Sequence, residues 1–185
     1  MDNGAGSYHR FLEGDEQGIV EIVRDYKDGL ILYLNGIVLN IHIAEELAEE
    51  TFIKLVVSKP RFNGKSTFKT WLYGIGRNVT KDYLRHSARY TSVSIEDYDG
   101  LSDEQNNLEK QYIQEERKLV IHRALSKLSS EYRQMLYLKY FEDMDNSQIA
   151  IIMKKNARQI ANNIYKAKQS LKTELEKEGF SYEEL

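Results

Sequence analysis

The chain has 185 residues, is 41% hydrophobic and carries a formal net charge of -3, which supplies apolar material for one ordinary domain or two small ones and excludes a chain disordered throughout. It contains no cysteine, so a disulfide framework and a thiolate metal site are ruled out, and a reducing, cytoplasmic location is compatible. No apolar run is long enough to span a bilayer, and the N-terminus lacks a basic segment followed by an apolar one, so neither membrane insertion nor a signal peptide is expected.

The first ten residues, with their Gly, Asn and Ser, read as a frayed end. Asp15 can cap a helix starting near Glu16, in which Ile19, Ile22, Val23, Tyr26, Leu30, Tyr33, Leu34 and Ile37 recur at helical spacing. Gly29 and Gly36 leave open whether that helix is unbroken. A second helix runs from about Ile43 to Val57, with Leu47, Thr51 and Leu55 on one line and Ala44, Ala48, Phe52 and Val56 on the next. Its remaining face holds Glu45, Glu46, Glu49 and Lys54. His42 beside those carboxylates could ligate a metal, but an acidic solvated face explains them more simply. Pro60, the sole proline, ends the helix, and Arg61 to Thr67 form a loop.

In the third helix, Phe68 to Arg89, the residues Phe68, Trp71, Leu72, Ile75, Val79 and Tyr83 face a core. Lys69, Tyr73, Arg77, Lys81 and Arg85 recur every four residues on another side. From Arg61 to Arg89 seven Lys or Arg face a single acid, Asp82. Cations interleaved with Phe62, Tyr73, Tyr83 and Tyr90 suit the unstacked bases of a single strand, while Trp71 belongs to the core.

From Tyr90 to about Asn107 the pattern dissolves into a polar, acidic, aperiodic stretch that reads as an interdomain linker. The expected organisation is all-α: an N-terminal helical domain over 1–89, the linker over 90–107 and a C-terminal helical domain over 108–185. In the last, Val120, Ile121, Ala124, Leu125 and Leu128 form one face, and Ser129 or Ser130 starts the next helix. That helix is mainly apolar through Met135, Leu136, Leu138, Tyr140 and Phe141. Asp145 with Gln148, and Asn156 with Gln159, are spaced as capping boxes. The first opens a short helix; the second opens a long one with Ile160, Ile164, Ala167 and Leu171 inward.

A short helix, a tight turn and a longer helix make a helix-turn-helix. Arg158, Gln159, Asn162, Asn163 and Lys166 point away from the seam, and these side chains suit base edges and phosphates. Lys154 and Lys155 in the turn add phosphate contacts. The turn lacks glycine, so Lys155 or Asn156 has to take a positive φ, and Asn156 suits it better. An ordinary helical hairpin with a solvated basic face would share this pattern. The four histidines, His9, His42, His86 and His122, are scattered, and no phosphate-binding Gly-rich loop or paired-His zinc motif occurs. No enzyme activity, metal or cofactor is therefore expected.

Residues 44–55, AEELAEETFIKL, followed by 62–89, FNGKSTFKTWLYGIGRNVTKDYLRHSAR, resemble the second conserved region of the bacterial RNA polymerase sigma factors of the compact, extracytoplasmic-function type. Residues 124–150, with the helix to Leu171, resemble the fourth. The resemblance implies that the surface Leu47, Glu50, Thr51, Phe52 and Lys54 docks on core RNA polymerase. It implies further that Lys69, Tyr73, Arg77, Asn78, Lys81 and Arg85 contact the melted −10 element of promoter DNA, with Phe62 to Ser66, including Lys65, helping to capture a base. Arg158, Gln159, Asn162, Asn163 and Lys166 would read the −35 duplex. An anti-sigma factor is a further implied partner. Departures from the family pattern include Ile43 where an acid usually opens the polymerase-binding helix, and Lys155-Asn156-Ala157 in the turn. Free protein should bind promoter DNA poorly, with docking on the polymerase exposing the basic faces. The rival reading is a helical adaptor that binds a transcription protein without reading DNA, although an adaptor has no need for the polar cluster on the last helix.

Overall fold

A computed structural model describes residues 4–90 and 120–179, and the expected linker lies outside the described residues apart from Tyr90. All regular structure among the described residues is α-helical. From Gly4 onward the stretch expected to fray is ordered: α1 (Gly4–Leu12) buries Tyr8 and Phe11. The Tyr8 hydroxyl donates to the Pro60 carbonyl at 2.8 Å, and burial pushes its pKa up to about 12. Around it Phe62, Phe68 and Trp71 form a ring cluster with centroids 5.2–5.7 Å apart. Burying one such side chain contributes about 1.5–3 kcal/mol, which explains how a Gly-rich start can still be held.

Helix α2 (Gln17–Val38) is unbroken. Its Gly18 is the contact point with α1, since a Cβ there would lie 2.2 Å from the Ser7 carbonyl oxygen. Leu39 closes the helix at φ 54°, its N–H returning to the Asn35 carbonyl. Asn40 then caps α3 (Ile41–Ser58), its side chain accepting from the Ile43 N–H at 3.2 Å. The start therefore falls earlier than periodicity suggests, because the capping residue is polar and leaves no apolar signal. Lys59 at φ 42° ends α3 one residue before Pro60. Thr67 Oγ1 accepts from the Thr70 N–H at the start of α4 (Phe68–Tyr90).

In the second half, residues 120–127 are helical and form α5. Ser129 caps α6 (Ser130–Tyr140) through the Tyr132 N–H. Both expected capping boxes form, Asp145–Gln148 on α7 (Asn146–Met153) and Asn156–Gln159 on α8 (Ala157–Lys177). The positive φ in the turn belongs to Lys154, at 55°, and not to Lys155 or Asn156. Asn156 is extended because it serves as the cap of α8, a role incompatible with a left-handed backbone. Tyr140 and Phe141 stand exposed, beside a groove they share with Ile121, Leu171 and Leu175.

The two helical domains do not stand apart. One apolar cluster runs from Tyr8 and Phe68 through Leu34, Leu55 and Leu72 to Met135, Leu138, Ile149 and Ile160. Helix α2 packs on α6, and α4 on α7.

Candidate nucleic-acid interface

The stripe of α4 is divided by this packing. Lys81 and Arg85 are exposed, and Lys69 is half-buried. Tyr73 and Arg77 are only 1% and 7% exposed. Helical periodicity places all five on one side of α4, and in the structure the C-terminal domain covers the first half of that side. Lys69 Nζ sits 2.5 Å from Glu142 Oε2 and 3.2 Å from the Glu142 carbonyl oxygen. Arg77 Nε donates to Gln134 Oε1 at 3.0 Å, and the Tyr33 hydroxyl donates to the same oxygen at 3.3 Å. Among the described residues, Arg77 Nη1 is buried without a hydrogen-bond acceptor. Burial raises the Tyr73 hydroxyl pKa far above the usual phenol range, and the Glu142 carboxylate raises it further. The Tyr137 hydroxyl is raised for the same two reasons; it donates to the Gly29 carbonyl at 3.3 Å. Arg133 Nε, from α6, reaches the Gly36 carbonyl at 2.9 Å, and Gln148 Nε2 reaches Thr67 Oγ1 at 3.4 Å.

Farther along α4 the two cationic regions meet. Partial burial lowers the Lys81 pKa, and the charges of Arg77, Lys154, Arg85 and Lys155 lower it further. Arg85 pairs with Asp82. Asn78 is half-buried and Lys65 exposed. Phe62 is half-buried, with its ring against Phe68 and Trp71; in this arrangement it supports the aromatic cluster.

On α8 the sequence-predicted residues mostly lie as expected. Arg158, Gln159, Asn162 and Lys166 are exposed on one side of the helix, and Lys154 is exposed in the turn. The Gln159 side-chain oxygen is taken by the Asn156 N–H at 3.0 Å, which leaves its NH₂ group to face a ligand. Asn163 is half-buried and donates to Glu131 Oε1 at 3.0 Å; Lys155 Nζ lies 3.3 Å from the same oxygen. Tyr165, 66% exposed, shares this side and was not among the sequence candidates. Its signal was the i+3 spacing from Asn162.

The expected polymerase surface needs a larger correction. Leu47, Thr51 and Phe52 are buried in the core, and only Glu50 and Lys54 are exposed. The lines of apolar residues already marked the first three as inward-facing. What α3 does expose beside Glu46, Glu49 and Glu50 is Ile53 and Val57, at 59% and 76%, together with Val56, which the apolar pattern had placed inward. Among the described residues no group of three or more His, Asp or Glu converges as a metal site, and His42 simply lies 3.5 Å from Glu45.

Residues 22–90 match the family model for sigma-70 region 2, and residues 118–171 match that for sigma-70 region 4. The chain is 25% identical to the RNA polymerase sigma factor YlaC of Bacillus subtilis (strain 168) over 86% of this chain and 92% of that protein. It is 26% identical to the extracytoplasmic-function (ECF) RNA polymerase sigma factor SigW of the same organism, over 88% and 91% respectively. The fold is that of CnrH in its complex with the cytosolic domain of CnrY, with a TM-score of 0.68 at 15% identity, covering 95% of this chain and 98% of that one. It is also that of the sigma factor RpoE from Bartonella quintana in complex with the anti-sigma factor NepR, with a TM-score of 0.67 at 21% identity over 84% and 95%. With both regions matched in order and helices of the same fold beneath them, the chain belongs to the sigma-70 family, as a sigma factor of the extracytoplasmic-function type.

Proposed function

We propose that this chain docks on core RNA polymerase through the exposed side of α3 and directs initiation by reading the −35 duplex with α8 and holding the melted −10 strand with α4. At the level of the family, its function is that of a sigma factor: core polymerase binding and promoter recognition. The chain performs no chemistry of its own. Strand opening in this scheme draws on binding energy, with unstacking costs of about a few kcal/mol recovered by cationic and aromatic contacts to the strand.

The observation that carries the reading is the side of α8 on which Arg158, Gln159, Asn162 and Lys166 stand exposed next to a capped helix N-terminus. Arg and the two amides can each address a base edge, Lys166 and Lys154 can address phosphates, and the N-terminal N–H groups favour an anion. On α3 the docking residues become Glu46, Glu49, Glu50, Ile53, Lys54 and Val57, an acidic side with two apolar anchors. A solved relative of this fold is held by an anti-sigma factor, and we extend such a partner to this chain.

The test is reconstitution with core polymerase and run-off transcription on genomic fragments. Discrete, protein-dependent start sites are expected. Arg158→Ala should cut transcription from them about tenfold or more, the equivalent of one lost bidentate base contact at about 1–3 kcal/mol. Ile53→Glu should abolish co-purification with polymerase in a chain that keeps its helical content. Transcripts that start at the same positions without this protein would refute the proposal.

A further inference from the structure

The carboxylate of Glu142 has unusual company. It projects from the turn after α6 across the domain seam and sits 2.5 Å from Lys69 Nζ. Burial first, and then this carboxylate, raises the pKa of the Tyr73 and Tyr137 hydroxyls beside it. Lys69 and Tyr73 are two of the residues assigned above to the melted strand. An anion paired with an ammonium and lying beside phenolic hydroxyls is in the setting that a backbone phosphate would find on the same side of α4. Space for it comes from Gly29 of α2, where a Cβ would fall 2.5 Å from the Tyr73 hydroxyl and 2.7 Å from Glu142 Oε1.

The rest of the seam is less well balanced. Among the described residues, Arg77 is buried with a carboxamide for a partner and no acceptor at Nη1, and Lys81 is within reach of the charges of Lys154 and Lys155 from the opposite domain. A buried guanidinium without a carboxylate and like charges facing one another both cost free energy. Both costs disappear when a polyanion neutralises α4.

We propose that Glu142 is an internal substitute for a nucleic-acid phosphate, occupying Lys69 and Tyr73 when the domains are closed, so that closure and nucleic-acid binding by α4 exclude each other. This rests on the reading of α4 as the strand-binding element. Closure then keeps the free protein off DNA, and the Arg77 guanidinium, which faces no carboxylate among the described residues, keeps the clasp ready to release.

The test uses the full chain, whose lack of native cysteine allows Ser58→Cys and Gln169→Cys to carry a fluorophore pair, one on α3 and one on α8. A short mixed-sequence DNA single strand serves as the probe. Saturating strand should lengthen the interdomain distance. Glu142→Gln and, independently, Gly29→Ala should lengthen it without DNA and tighten strand binding about tenfold, as expected when a mostly unpopulated competent state becomes the main one. Far-UV circular dichroism confirms that each variant is folded, and Gly29→Ala leaves every charged group in place.

Strand binding with no change in distance would overturn the proposal, as would variants that open without binding more tightly, or variants that stay closed and bind like the wild type. Run-off transcription separates this from the sigma-factor assignment. Wild-type activity with an unresponsive distance removes the clasp alone, whereas absent activity counts against the assignment whatever the distance does.

Discussion

The Asp145 cap shows how much one side chain can hold at a helix-turn-helix. Its carboxylate accepts from the backbone N–H groups of Ser147 and Gln148 at 2.8 and 2.9 Å and from the Ser147 hydroxyl. These bonds, the Ser147 hydroxyl first, hold its pKa below the usual aspartate value. A carboxyl depressed in the folded state contributes stability that is fully present above its unfolded pKa of about 3.9 and is lost as pH falls through the lower folded value. Asp145→Ala should therefore cost about 1 kcal/mol at neutral pH, with the difference from wild type shrinking below about pH 4. Asp145→Asn should retain most of the stability and flatten that part of the pH profile; urea titrations across pH check both. This cap was legible from the three-residue spacing to Gln148 alone, because a capping box is a local device. Tyr73 and Arg77 were legible only in part. Periodicity assigned their side of α4, but what covers that side comes from residues such as Gln134 and Glu142, far along the chain, to which no local pattern points.

Helix boundaries follow the same division between local and distant causes. Gly29 and Gly36 left the continuity of α2 open in the sequence, since glycine in a helix interior costs about 1 kcal/mol relative to alanine. The helix runs through both because its buried side, including Leu30, Tyr33 and Leu34, is packed from several directions. From Gly4 onward the frayed-end reading failed for a related reason: Tyr8 and Phe11 are too few to show periodicity, and their support comes from Phe68, Trp71 and the Pro60 carbonyl. Glycines at two positions should respond oppositely to alanine. At Gly18 the new Cβ would meet backbone atoms of α1, 2.2 Å from the Ser7 carbonyl oxygen and 2.9 Å from the Phe11 nitrogen. Backbone cannot swing aside as a side chain can, so Gly18→Ala should displace α1 and cost about 2 kcal/mol or more. At Gly74 nothing lies within 4 Å of the new atom, and the substitution should stabilise α4 by about 0.5–1 kcal/mol. Thermal melts of the two variants give the signs, and amide exchange of α1 tells whether its undocking is the cause.

Across the whole molecule, the sequence favoured two bodies joined by an acidic tether, each with its own core. The all-α character and the helix-turn-helix were readable because amphipathic period and capping chemistry lie within a few residues of one another. The shared core was not, because α2 and α6 are joined through packing between segments about a hundred residues apart, and each apolar face is equally compatible with a smaller core of its own. A continuous core makes a specific demand on unfolding. Trp71 is the sole tryptophan and lies in the N-terminal domain against Phe68 and Tyr8, whereas far-UV circular dichroism reports on helices of both. If the seam couples the domains, the two signals should fall together in urea, and Leu138→Ala, in the C-terminal domain, should move the Trp71 transition by the same amount as the dichroism. That substitution removes a fully buried leucine, so the shift should correspond to about 2–5 kcal/mol. Glu142→Gln should separate the transitions, because it weakens the seam without touching either domain's interior. Two well-resolved transitions in the wild type, with Trp71 indifferent to Leu138→Ala, would mean that the domains associate too weakly for closure to govern access to α4. Coincident transitions that Glu142→Gln leaves together would place the coupling in the apolar contacts of Leu138 and Ile149, not in the ion pair.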